Sequence, residues 1–230
     1  MTNFALIGDV HSIAHLLDDA LDYCQEHNLT PILLGDLFDS RCDTSDSVGV
    51  YNLVRDAQKN LNAIVLHSNH QDKLVRHLKG NRVNINNGLD LTLNDFNNSN
   101  ISNEDLFEFL NNLPYGMVFK DHNDVEYRAS HAFFSCRIEI PEYDEHYFVY
   151  ENKLNRKLRN VMIYGPTNEN GRICWWEEYR HREFVRVSGH YHVVHIDDMS
   201  IVIDGECGEA KETAFLPLYD INSKLLKRFS

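Results

Sequence analysis

Phe4-Ala5-Leu6-Ile7-Gly8-Asp9-Val10-His11 is an apolar run closed by glycine and then by two polar donor side chains. A short apolar run bounded by a turn residue reads as a buried β-strand. The pattern returns in Pro31-Ile32-Leu33-Leu34, ahead of Gly35-Asp36-Leu37-Phe38-Asp39, and in Ala63-Ile64-Val65-Leu66, ahead of Asn69-His70. Between these runs, Ile13 to Gln25 sets Leu16, Leu17, Ala20, Leu21 and Cys24 at helical spacing, and Asp46 to Lys59 also reads as a helix. The order β-α-β-α-β predicts an α/β layered fold with parallel strands. In such sheets the working residues gather outside the carboxyl ends of the strands. Asp9, Asp36 and Asn69 all fall there.

Farther along, Asn94 to Asn103 is Asn-rich and reads as a loop. Ser102 with Asp105 marks a helix start, Leu106 to Leu110 continue it, and Leu113-Pro114-Tyr115-Gly116 ends it. The texture then changes to strands at Met117 to Lys120, Val125 to Ala129, Phe184 to Val187, Val193 to Ile196, Ile201 to Ile203 and Phe215 to Ile221. Glu139 to Asn160 is charged and tyrosine-rich, with a helix expected from Tyr147 to Arg159. With no internal repeat and no composition break, residues 1–230 are expected to form one domain whose halves supply two sheets. An excursion near 121–171 would form a rim. Its Tyr143, Tyr147, Tyr150, Lys153, Arg156, Lys157 and Arg159 suit either a phosphorylated partner or an ordinary solvated helix.

The 230 residues carry a net charge of −13, which argues against extended nucleic-acid binding, since that requires clustered Lys and Arg. A phosphate substrate stays open, because bound cations invert the local field. The five cysteines show no C-x-x-C spacing, so free thiols in a reducing cytoplasm are expected. The sequence shows neither an export signal nor a run near the roughly 18 apolar residues of a membrane span.

Further donors follow later strands: His131 in Ser130-His131, and His190 and His192 in Gly189-His190-Tyr191-His192. Taken singly, an Asp or Asn after a strand is an ordinary turn former, and a lone His is an ordinary packed or surface residue. In extended chain, Asp9 and His11 would point the same way and could share one cation. Their joint occurrence, each at a strand end and with no thiolate, suits Mn, Fe, Zn or Co in mixed imidazole and carboxylate ligation. A carboxylate such as Asp36 can bridge two cations.

In order, GDVH, GDLFD, NH, SH and GHYH resemble the motifs of the calcineurin-like metallophosphoesterases, from Gly8 to about Gly208. The second half resembles the branch of bacterial and bacteriophage protein phosphatases, symmetrical diadenosine tetraphosphatases and the phosphatase module of polynucleotide kinase–phosphatase. That likeness rests on Tyr164-Gly165-Pro166-Thr167, Gly171-Arg172, Trp175 or Trp176, Tyr179, Gly189-His190 and Ile203-Asp204-Gly205.

The resemblance implies a four-layer αββα sandwich holding two divalent cations, Mn²⁺ foremost, with Fe, Zn, Ni, Co or Mg as alternatives. It implies Asp9, His11 and His192 at one cation, Asn69, His131 and His190 at the other, and Asp36 bridging. It also implies His70 as catalytic acid, Asp39 behind it, and a supporting role for Asp204. Arg41 and then Arg172 are the candidates to grip phosphate oxygens. The family pattern is altered at Ser12, Ser68 and Gln71, and the arginine of its Asp-Arg-Gly is displaced by one position in Asp39-Ser40-Arg41. The activity implied is hydrolysis of a phosphomonoester or phosphoprotein by a hydroxide between the cations. A phosphodiesterase or dinucleoside polyphosphate hydrolase is the alternative, and a non-catalytic binding scaffold the second.

Overall fold

The computed structural model describes residues 2–172 and 183–230. Trp175, Trp176 and Tyr179, with Cys174 and His181, lie outside the described residues. The first part runs β1 (Phe4–Ile7), α1 (Ala14–Glu26), β2 (Thr30–Leu33), α2 (Ser47–Asn60), β3 (Ile64–Val65), α3 (Asn69–Leu78), α4 (Leu89–Asn97) and α5 (Asn103–Asn111). Then come β4 (Gly116–Lys120), β5 (Glu126–Ser130), β6 (His146–Val149), α6 (Arg156–Tyr164), β7 (Val185–Ser188), β8 (Val194–Ile196), β9 (Ser200–Ile203), β10 (Leu216–Asp220) and β11 (Leu225–Phe229).

Two mixed sheets result, ordered β11-β10-β1-β2-β3 and β6-β4-β5-β7-β9-β8. β1, β2 and β3 are parallel, as the β-α-β-α-β pattern requires, and β10 returns antiparallel to β1. Alternation along each strand decides what each face covers. Ala5 and Ile7 of β1 pack with Leu17 and Leu21 of α1 and Val54 of α2. Phe4 and Leu6 face the other way and pack with Met117, Phe119, Val187 and Ile203 of the second sheet. Val118 of β4 turns outward onto Met162 and Ile163 of α6. The layers are therefore helices, sheet, sheet, helix: an αββα sandwich.

Local sequence explains several element ends. Asp46 caps α2 by accepting from the Gly49 amide, and Ser102 caps α5 by accepting from the Asp105 amide. Three expectations are corrected. Tyr147 to Val149 belong to strand β6, paired with β4, and after a single 3-10 turn at Glu151–Lys153 the α-helix begins at Arg156. Asn94 to Asn97 are the last turn of α4, whose Leu89, Thr92 and Phe96 are buried, so only 98–102 form the loop. The turns after β1 and β7 are not extended: His11, Ser12, His190 and His192 take φ of 45°, 60°, 69° and 53°.

Candidate functional site

The turns after β1, β2, β5 and β7, with the start of α3, meet at one edge of the sandwich. There Asp9, His11, Asp36, Asp39, Arg41, Asn69, His70, Asn87, His190, His192 and Glu209 line a cleft of about 140 Å³. Side chains reach this point through left-handed backbone turns. Besides the histidines above, Asp36 and Asp39 sit at φ of 42° and 72°. Such conformations cost on the order of 1–3 kcal/mol each and collect where a side chain must be aimed. Glycines make room for the approach. A Cβ on Gly189 would fall 2.0 Å from Asp9 Oδ1, and one on Gly35 (φ +113°) would fall 2.7 Å from Ser68 Cβ.

Asp36 is the hub. Its Oδ2 lies 3.4 Å from His131 Nε2, 3.7 Å from His11 Nε2 and 4.0 Å from His70 Nε2. The other ring nitrogens fix the tautomers. His131 Nδ1 donates to the Leu34 carbonyl at 3.0 Å, and His11 Nδ1 faces the Phe38 and Asp39 carbonyls, both at 3.1 Å. In the neutral ring this leaves the Nε2 lone pairs of both histidines aimed at oxygen acceptors. Asn69 Oδ1 also stands 2.8 Å from His131 Nε2. Lone pairs facing lone pairs in a buried site need positive charge between them, either a proton or a cation.

Two triads have donor atoms within 4.8 Å of one another: Asp9, His11 and Asp36, and Asp36, His131 and His190. Each could hold a metal ion, and Asp36 belongs to both. Asn69 joins the second through His131. His192 stands at the mouth, its side chain 59% exposed and its Nδ1 3.4 Å from Glu206, outside the first triad while lining the same cleft.

Protonation follows from burial and charge. Burial first, then the carboxylates of Asp204 and Asp36, push the Asp9 carboxyl well above its usual range. One of its oxygens, Oδ1, is buried without a hydrogen-bond partner. That orphaned acceptor, beside a second carboxylate, fits a cation as the missing partner. Burial would also raise Asp36, but the imidazoles of His131, His70 and His11 outweigh it and hold its carboxyl low. Burial, with His131 nearby, drives the His190 ring down to about 3, so it is neutral and carries a lone pair that could ligate a cation.

His70 Nδ1 is 2.7 Å from Asp39 Oδ2. Burial disfavours its charge, yet Asp36 and the Asp39 hydrogen bond prevail and raise it. Cations bound at Asp36 would offset that carboxylate, leaving Asp39 as the partner of the ring. Asp39 is held by Thr92, whose hydroxyl donates to Oδ1 at 2.8 Å and accepts from the Asp39 amide at 3.0 Å. Thr92 lies on α4, just ahead of the Asn-rich stretch, and no motif points to it. Asp204 accepts from the His192 and Glu206 amides at 2.7 and 2.9 Å, which sets the His190–His192 turn.

Ser68, standing where the family pattern has Gly, caps α3 by accepting from the Gln71 amide. Arg41 does reach the cleft from its displaced position. Its guanidinium is tied to Asn87 Oδ1 at 2.9 Å and Glu209 Oε1 at 3.2 Å. Arg172 is exposed in the turn closed by Asn168 and is not among the described residues lining the cleft. Sequence reasoning missed Thr92, Asn87 and Glu209.

No family model and no curated protein matches the chain. Solved structures do. A candidate diadenosine tetraphosphatase is 20% identical with a TM-score of 0.61, covering 99% of this chain and 92% of its own. A Pyrococcus horikoshii protein without assigned function is 12% identical with a TM-score of 0.54, covering 100% of this chain and 88% of its own. A cold-active protein-tyrosine phosphatase of a psychrophilic Shewanella is 16% identical with a TM-score of 0.53, covering 100% of this chain and 81% of its own. The likeness is one of fold: the chain shares the architecture of these structures, here a four-layer αββα sandwich.

Proposed function

We propose that this chain is a phosphoric ester hydrolase that works with two divalent cations, Mn²⁺ foremost, on phosphomonoesters. The observation that carries the reading is the convergence on Asp36 of imidazole nitrogens from two turns and the start of α3, with Asp9 and His190 completing a triad on either side. In the proposal, Asp9 and His11 hold one cation with His192 at the mouth, Asn69, His131 and His190 hold the other, and Asp36 bridges. Bound there, the cations would lower the pKa of water and neutralise phosphate charge. The protein's own groups do the rest. His70, oriented by Asp39, gives its proton to the leaving oxygen. Arg41, at the mouth, gives its free donors to nonbridging phosphate oxygens. Buried walls around Asp36 and His131 exclude bulk water and sharpen each charge interaction.

The test is turnover of p-nitrophenyl phosphate by the purified chain with Mn²⁺, abolished by chelator. Absence of turnover across Mn²⁺, Ni²⁺, Co²⁺, Zn²⁺ and Mg²⁺ would point to a binding scaffold. Turnover of the bis ester but not the monoester would point to a diesterase.

A further inference from the structure

A second pocket, of about 360 Å³, adjoins the cleft and shares Asn69, His70 and Asn87 with it. Its volume lies within the range of ~300–1,000 Å³ that small ligands occupy. Its other walls include Lys73, Arg76, Arg82, Asn84 and Tyr164, and no described carboxylate lines it. In a chain of net charge −13 that is an unusual concentration of positive charge. Lys73 Nζ bonds only neutral oxygens, the Asn86 carbonyl at 2.7 Å and Asn86 Oδ1 at 3.0 Å. Arg76 lies 4.0 Å from Asp72, a carboxylate also shared with Arg159 at 3.7 Å. Among the described residues no carboxylate lies within ion-pair distance of Lys73 or Arg82. Such charge is available for an anion.

The pocket's position gives it a role. It opens on the His70 side of the cleft, and His70 is the group assigned to the leaving oxygen. Whatever departs therefore departs toward Lys73, Arg76 and Arg82. We propose that this pocket binds a phosphate carried by the leaving group. The same hydrolysis of a terminal phosphate then runs on simple monoesters but prefers small molecules in which that phosphate is joined to a further phosphate, an anhydride, rather than to carbon. Water adds to the terminal phosphorus and the bridging P–O bond breaks. Its electron pair stays on the departing phosphate, and the two hydrogens of the water are shared between the products or released as protons. Arg82, exposed on the loop after α3, contributes planar paired donors that match phosphate oxygens. Tyr164 supplies the aromatic wall. This proposal rests on the hydrolase reading above.

The experiment compares inorganic tripolyphosphate with p-nitrophenyl phosphate, which has no second phosphate, in wild type, Arg82→Ala and Arg82→Lys. Arg82→Ala is expected to lower the ratio of the two kcat/KM values about 10-fold, the loss of one charge-assisted contact, and Arg82→Lys to restore part of it. A separate calorimetric titration of metal-free protein with tripolyphosphate is expected to show about 10-fold weaker binding in Arg82→Ala. If wild type turns over neither substrate but the titration still separates the variants, the pocket assignment stands and the hydrolase reading fails. An unchanged ratio together with unchanged binding overturns the pocket assignment. So does a phosphopeptide preferred over tripolyphosphate by wild type and equally by Arg82→Ala.

Discussion

Asp36 carries more of the proposed chemistry than any other side chain, and its replacement is the sharpest test of the site. Asp36→Asn keeps the shape but removes the charge facing three imidazoles. Activity is expected to fall at least ~100-fold, beyond what loss of an outer partner costs. Calorimetric titration should show weakened Mn²⁺ binding in both triads, because Asp36 belongs to both. Full activity in this variant would sink the two-cation assignment. At His70 the expected pattern is different. In the proposed reaction its 2.7 Å bond to Asp39 holds the ring for proton donation, so His70→Ala should cost on the order of 100-fold with phenyl phosphate. The cost should be markedly smaller with p-nitrophenyl phosphate, whose leaving group needs little protonation. Equal losses on the two esters would leave the residue without an acid role.

Elements set those side chains, and α4 shows how. Asp39 is fixed by Thr92 through two hydrogen bonds, so the first turn of a helix determines where the His70 ring points. Thr92→Val preserves volume and leaves the buried Asp39 amide and one carboxylate oxygen without this partner. A stability loss of ~1–3 kcal/mol is expected by chemical denaturation, with kcat reduced more than KM changes. An unchanged kcat would show that Thr92 does not position the acid. The same helix shows what the amino-acid order reveals. Strands β1, β2 and β3 were legible because each is an apolar run ended by turn residues. The donors beyond them were legible as positions after strand ends. α4 was hidden because Asn94, Asn97 and Asn98 suggest a loop, although Leu89, Thr92 and Phe96 are spaced to bury one helical face. β6 was hidden for another reason: His146-Tyr147-Phe148-Val149 becomes a strand by pairing with β4, a contact that local pattern does not contain. The aim of His11 and His192 was likewise illegible. It depends on left-handed turns at non-glycine residues, which spacing in extended chain cannot foretell.

At the scale of the whole molecule, the site concentrates buried acid in a chain that is already acidic. Asp9, Asp36 and Asp204 are all buried at one edge of the sandwich, and Asp9 is raised by burial and by the other two. Self-repulsion of this kind opposes the compact state, and a cation that binds only the folded chain relieves it. Occupancy of one site at 100 times its Kd stabilises by about 2.7 kcal/mol. For a chain of this size that corresponds to a rise in Tm of about 5–11 °C, and two sites would give more. Scanning calorimetry with and without Mn²⁺, followed by chelator, measures it. The pH dependence has a definite sign. In the cation-free fold the raised Asp9 carboxyl holds its proton to higher pH than an ordinary aspartate, so a cation must displace that proton. Lowering the pH strengthens the competitor, and the Mn²⁺-induced rise in Tm should shrink as the solution is acidified. In Asp9→Asn the proton on residue 9 no longer competes, while those on the facing imidazoles still do, so whatever shift survives should depend less steeply on pH. A shift in wild type that stays constant on acidification would mean that Asp9 does not ligate the cation.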